Sequence, residues 1–194
     1  MKFFSLVFLL LYSSSAFSLD GYFSVGYGQG GSPLADVTGG QNYDIKAGSG
    51  MYLVGGVILP ISPTEPHRFE LQIGAGYMED HRSAEFDNSA TWSRIPIEAI
   101  YFYRNTVENF RIGWGAIYQT NNKITAKGTD VSEAMPVDDA NGWTIAADYL
   151  KRDPDLKNML TGVGIRYNAI RYRASGFSGD ANGESWFVTV SLLY

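Results

Sequence analysis

The chain has 194 residues and a formal net charge of −5, from 15 lysines and arginines against 20 acids, and that balance argues against nucleic acid as a partner. It contains no cysteine, which excludes disulfides, thiolate catalysis and thiolate metal sites. Its 22 glycines, 13 tyrosines, 11 phenylalanines and 4 tryptophans are more than an ordinary soluble domain of this size carries.

In chain order, Lys2 is followed by an apolar run from Phe3 to Tyr12, a short polar stretch, and Ala16-Phe17-Ser18, the small-x-small pattern of a signal cleavage site. The apolar run is far shorter than the roughly 20 residues a spanning helix needs. Residues 1–18 are therefore expected to be a secretory signal peptide and 19–194 the mature domain, whose formal charge becomes −6 once Lys2 is removed and no acid is lost. After the signal no segment is apolar enough for a membrane helix. Entry into a membrane would therefore require a closed sheet, the other architecture that satisfies every backbone group in lipid.

From Leu19 onward the pattern has period two, and eight runs emerge. In the first, Phe23, Val25 and Tyr27 alternate with Ser24, Gly26 and Gly28. The second, Tyr43 to Leu59, sets Ile45, Ala47, Met51, Leu53 and Val57 against Asp44, Lys46, Gly48, Gly50 and Gly56. The third alternates Phe69, Leu71, Ile73, Ala75 and Tyr77 with Glu70, Gln72, Gly74 and Gly76. In the fourth, Ile95, Ile97, Ala99, Tyr101 and Tyr103 oppose Arg94 and Glu98, with Ile100 and Phe102 open to either face. The remaining runs are centred on Trp114, Ile145, Ile165 and Val190. Pro96 cannot donate to a ladder, so a bulge or a break in regular pairing is expected near it.

Connections alternate in length. Residues 29–42, 79–91, 120–141 and 174–183 read as long polar loops, and 60–66, 104–109 and 151–158 as short turns. Aromatics gather near run ends (Tyr22, Tyr27, Tyr77, Trp92, Tyr101, Tyr103, Tyr118, Trp143, Tyr149, Tyr172, Trp186, Tyr194), where two interfacial girdles would sit. An even strand number puts both termini on the short-turn side, which in a bacterial outer membrane is the periplasm. The expected fold is all-β, an eight-stranded antiparallel up-and-down transmembrane β-barrel.

The last residues, Trp186-x-Val188-x-Val190-x-Leu192-x-Tyr194, resemble the C-terminal signal by which outer-membrane barrels are recognised by their assembly machinery. The mature chain as a whole resembles the small eight-stranded outer-membrane barrels, the group that includes the OmpA transmembrane domain, OmpX and OmpW. That resemblance implies a monomer in the cell outer membrane of a Gram-negative envelope, with lipid and lipopolysaccharide as surroundings and roles in envelope integrity or adhesion. The sequence stops with the last strand, so no periplasmic peptidoglycan-binding domain is expected. No motif assigns one subfamily.

The inward faces collect Glu70, Glu98 and Asp148 with Arg94, Arg111 and Arg166, and with Gln72, Gln119, Asn168, Thr144, Thr189 and Ser191 around them. In a narrow barrel unpaired charges are costly, so these six ionic residues are expected to form an ion-pair network filling the lumen. A narrow solute channel is the second reading. A lipid A-modifying enzyme is the third: His81-Arg82-Ser83 has the His-x-Ser pattern of the deacylase type, with Glu79, Glu85 or Glu98 as a third member. It falls in a polar stretch expected to be an outer loop, so no catalytic residue is assigned.

Gly26, Gly28 and Gly31 match G-x-G-x-x-G without the helix that dinucleotide binding needs. His67 lacks neighbours at metal spacing, and no cofactor or metal is expected. Asp130, Glu133, Asp138 and Asp139 could hold calcium, and Arg82, Arg171 and Arg173 could contact lipopolysaccharide phosphates, but solvated loops explain both groups equally.

Overall fold

A computed structural model describes residues 19–32, 46–62, 64–83, 89–127, 132–152, 159–173 and 181–194. The expected signal segment lies outside them. Ten strands form one antiparallel sheet: β1 (Asp20–Gly30), β2 (Gly50–Ser62), β3 (His67–Ser83), β4 (Ser89–Asn105), β5 (Phe110–Lys127), β6 (Ser132–Pro136), β7 (Ala140–Arg152), β8 (Leu160–Tyr172), β9 (Ala181–Asn182) and β10 (Ser185–Leu193). Eight of them make the wall, in the order β1-β2-β3-β4-β5-β7-β8-β10, and β10 pairs back onto β1. The short β6 and β9 extend β5 and β8 at the upper rim.

Closure has a measurable stagger. Stepping from Asp20 to its cross-strand partner on each strand in turn passes Ile58, Gln72, Ile100, Gly115, Thr144, Asn168 and Ser185, and returns to β1 at Gly30. The path has climbed from position 20 to position 30, a shear of ten residues over eight strands. Such a shear tilts strands by roughly 35–45° and leaves an interior that side chains can fill.

The period-two faces sort as hydrophobicity dictates, with the apolar set outside. Trp114, Ile112, Ile145, Val163, Ile165, Val188 and Val190 are all exposed on the outer wall. Inside, Ile100 and Phe102 are fully buried, which resolves the two positions the pattern left open. Three aromatics expected in the girdles face inward instead: Tyr22, Trp92 and Tyr172 are 2%, 0% and 2% exposed. Their positions share parity with inward neighbours, and parity, not aromatic character, decides the face.

Several strands differ in extent from their periodic cores. Strand β2 begins at Gly50, not Tyr43; Ala47 is fully buried in a turn ahead of it, and Tyr43 to Ile45 lie outside the described residues. Residues 79–83 and 89–91, expected in a loop, continue β3 and β4, and 120–127 continue β5. Polarity there marks departure from an apolar surrounding, not departure from the sheet. Above the Tyr77 and Tyr118 level the outer face turns polar, with His81, Lys123 and Lys127 exposed.

The disturbance expected from Pro96 is present, and it falls on the neighbouring strand. The β4–β5 register shifts between Ser93↔Lys123 and Ile95↔Thr120, so that β5 carries one extra residue opposite Arg94. Asn121 takes the left-handed backbone there, with φ 54°, a conformation asparagine tolerates better than most residues. The bulge flips the inward parity of β5 from Gln119 to Asn122, which is why Ile124 and Ala126 point inward above it. At the lower rim, the Asn105 side chain accepts hydrogen bonds from the backbone of Val107 and Glu108, both 3.0 Å, and sets the turn into β5.

Candidate functional site: the lumen

Three layers fill the barrel. At the upper end Ala47, Ala90, Trp92, Ile117, Ile124, Val137, Ala140, Ile170 and Tyr172 form one buried apolar cluster. Trp92 meets Tyr172 edge-on with ring centroids 4.8 Å apart, and the Tyr172 hydroxyl donates to the Gln119 side chain. Arg94 lies beneath, its guanidinium 4.0 Å from the centre of the Trp92 ring.

The middle layer is built around Glu98. One carboxylate oxygen accepts from the Tyr22 hydroxyl at 3.0 Å and the Gln72 amide at 3.3 Å. The other accepts from the Tyr52 hydroxyl at 2.6 Å and the Arg166 guanidinium at 2.5 Å. Arg166 also contacts the Tyr52 hydroxyl and sits 4.7 Å above that ring. Room for this packing comes from glycine, because a Cβ at Gly74 would overlap the Tyr22 hydroxyl.

Below it, Arg111 donates to Asp148 at 2.7 Å and to the Gln72 side-chain Oε1 at 3.0 Å. Gln72 therefore joins the two ion pairs, giving its amide to Glu98 and taking a hydrogen bond from Arg111. The Arg111 guanidinium lies 4.1 Å from the Phe102 ring centre, and Gly164 leaves the space that the Asp148 carboxylate occupies.

Of the six ionic residues collected from the sequence, four meet as Glu98–Arg166 and Arg111–Asp148. Glu70 is buried but pairs with Arg104 at 3.2 Å, a residue the sequence reading had placed in a turn. Arg94 is fully buried and makes no ion pair among the described residues; it donates to the Ser49 carbonyl at 2.5 Å. Tyr22 and Tyr52 were missed as members. Their signal was available in the inward parity of β1 and β2.

His81 is exposed on the outer face of β3 and contacts Thr91 Oγ1 at 2.9 Å, whereas Glu98 faces the lumen. Glu79 is engaged by the Tyr77 hydroxyl at 2.5 Å, and Glu85 lies outside the described residues, as does Asp130. His67 pairs with the Tyr103 hydroxyl at 2.7 Å. Asp139 accepts from the Tyr118 hydroxyl at 2.5 Å, Arg82 pairs with Asp80 at 3.1 Å, and Arg171 and Arg173 are exposed at the upper rim. Among the described residues no three acids, histidines or cysteines are grouped for a metal. On β10, Trp186, Val188 and Val190 are exposed on the outer wall, and Tyr194, one residue beyond the strand, is exposed as well.

No protein-family model matches the sequence, and no curated protein matches it. Among solved structures the chain is similar to Neisserial surface protein A, with 14% identity, a TM-score of 0.49, and coverage of 90% of this chain and 95% of that one. It is also similar to Ail, the attachment invasion locus protein of Yersinia pestis, in complex with the heparin analogue sucrose octasulfate, with 10% identity, a TM-score of 0.45, and coverage of 91% and 99%. The outer membrane protein OprG from Pseudomonas aeruginosa aligns with 13% identity, a TM-score of 0.40, and coverage of 92% and 94%. These are likenesses of outline; the architecture of the chain rests on its own strand pairing.

Proposed function

We propose that the chain is an integral outer-membrane β-barrel that works as a closed, non-enzymatic wall displaying its upper hairpins at the cell surface, with both termini in the periplasm. The observation that carries this reading is the inversion of faces. Trp114, Trp186 and Val188 are 69%, 61% and 67% exposed on the wall, while Glu98, Arg111 and Arg166 are 2%, 2% and 4% exposed inside it. A contiguous apolar belt of that extent is unstable in water and at home in lipid.

The lumen contents favour a wall over a channel. Glu98, Arg166, Tyr22, Tyr52, Gln72, Arg111 and Asp148 interlock across it, and the Trp92 cluster closes the upper end. Planar-bilayer recording tests the choice: a closed wall gives no discrete conductance steps, whereas steady steps from the wild-type protein would favour the channel. In the same reading, Arg171 and Arg173 on the upper rim meet lipopolysaccharide phosphates, and the outward stripe from Trp186 to Tyr194, with Leu192 in it, is the strand presented to the barrel-assembly machinery. A lipopolysaccharide-dependent rise in thermal stability that is lost in R171A/R173A supports the first contact; a rise that persists removes it.

A further inference from the structure

The lower mouth, where β1 begins and β10 ends, opens into a cavity of about 380 Å³. Its polar lining is rich in arginine: Arg68, Arg104 and Arg152, with Asp20 the one acidic side chain and Tyr194 beside them. Its apolar lining is Ile58, Leu160 and Leu193.

Arg68 and Arg104 are direct cross-strand partners, and Arg104 is in turn partnered by Arg111. Like charges placed opposite one another on a sheet repel. The available carboxylates answer this unevenly. Glu70 holds Arg104 at 3.2 Å, but Arg68 reaches only the half-exposed Glu65 at 3.7 Å, and its buried Nε has no hydrogen-bond partner. Arg152 is exposed and forms no ion pair among the described residues. Guanidinium groups match oxyanions by their fork of donors, and the volume is that of a small-ligand site.

We propose that this mouth binds an amphipathic oxyanion, its phosphate or carboxylate head at Arg68 and Arg152 and a small apolar body against Ile58, Leu160 and Leu193. The assignment of the mouth to the periplasm rests on the barrel reading above; the site itself rests on the cavity and its charges. The head group could come from a soluble metabolite or from a phospholipid of the adjoining leaflet, and both present the same chemistry.

The test uses the chain refolded in phosphatidylcholine nanodiscs, with the arginine Nε–H resonances followed by NMR. One arm titrates hexyl phosphate; the other replaces part of the lipid with phosphatidylglycerol. A saturable shift of the Arg68 resonance is expected in at least one arm, and which arm identifies the source. The apparent affinity should fall on the order of tenfold in R152Q and further in R68Q/R152Q, but not in K123Q, an exposed position at the opposite rim. Arg152 is exposed, so R152Q keeps the test interpretable if the double variant folds poorly. No saturable shift in either arm, or an unchanged affinity in R152Q, overturns the site. Retention of the compact, heat-sensitive gel band in every sample separates failure of the site from failure of the barrel.

Discussion

The carboxylate of Glu98 on β4 and the guanidinium of Arg166 on β8 meet at 2.5 Å across the lumen, from strands that are not neighbours in the wall. Removing one member leaves the other buried without its counter-charge, which costs about 3–5 kcal/mol. Urea unfolding in lipid vesicles should show a loss of that size for E98A and R166A singly. The double apolar variant E98L/R166M should recover most of it, since well-packed apolar pairs often equal buried ion pairs. Additive losses in the double variant would mean that the two side chains do not depend on each other.

Gly164 and Gly55 differ in the room around them. A Cβ at Gly164 would overlap the Asp148 carboxylate, whereas one at Gly55 would find only ordinary contacts, the nearest at 3.5 Å. G164A should therefore destabilise by about 1–3 kcal/mol, the usual cost of overpacking, and G55A should stay within about 0.5 kcal/mol. The same urea series reads both.

Tryptophan emission separates the faces directly. Trp114, Trp143 and Trp186 are 69%, 49% and 61% exposed on the wall, while Trp92 is fully buried inside. Lipids brominated on their acyl chains should quench the first three in single-tryptophan variants and leave the Trp92-only variant bright. Strong quenching of Trp92 would return it to the girdle its aromatic character first suggested.

At the upper rim, the Tyr118 hydroxyl donates to Asp139 and, with Thr120, holds that carboxyl below its ordinary range. A depressed carboxyl contributes stability above its unfolded pKa and loses it as pH falls through the folded value. Carbonyl NMR should find the Asp139 midpoint below that of an unstructured aspartate, and Y118F should move it upward. An unmoved midpoint would show that the hydroxyl is not the cause.

The fold was legible because closure makes alternation strict: Phe69 to Tyr77 could be assigned to faces from spacing alone, and so could Glu98, Arg111, Asp148 and Arg166. What alternation cannot carry is the partner. Glu70 found Arg104 because the cross-strand register brings β3 and β4 together at their lower ends, whereas Asp80, in the region read as a loop, is the buried acid on the side of Arg94. Tyr22, Trp92 and Tyr172 were misplaced because aromatic residues suit both a lipid interface and a lumen cap. The strands outran their apolar cores because the strand pairing continues past the apolar belt of the outer wall.

Barrel closure itself is best tested at Ser24 and Ser191, cross-strand partners on β1 and β10 whose hydroxyl oxygens lie 3.0 Å apart inside the wall. Directly opposed residues on antiparallel strands have Cα atoms about 4.5–5.5 Å apart, within the range a disulfide spans. The chain has no cysteine of its own, so S24C/S191C carries one pair alone. Mild oxidation of the refolded protein should cross-link it nearly completely, while S24C/T189C, one step out of register on the same face, should remain reduced. A reduced S24C/S191C, or equal cross-linking of both pairs, would contradict a barrel closed by β1 and β10 in this register.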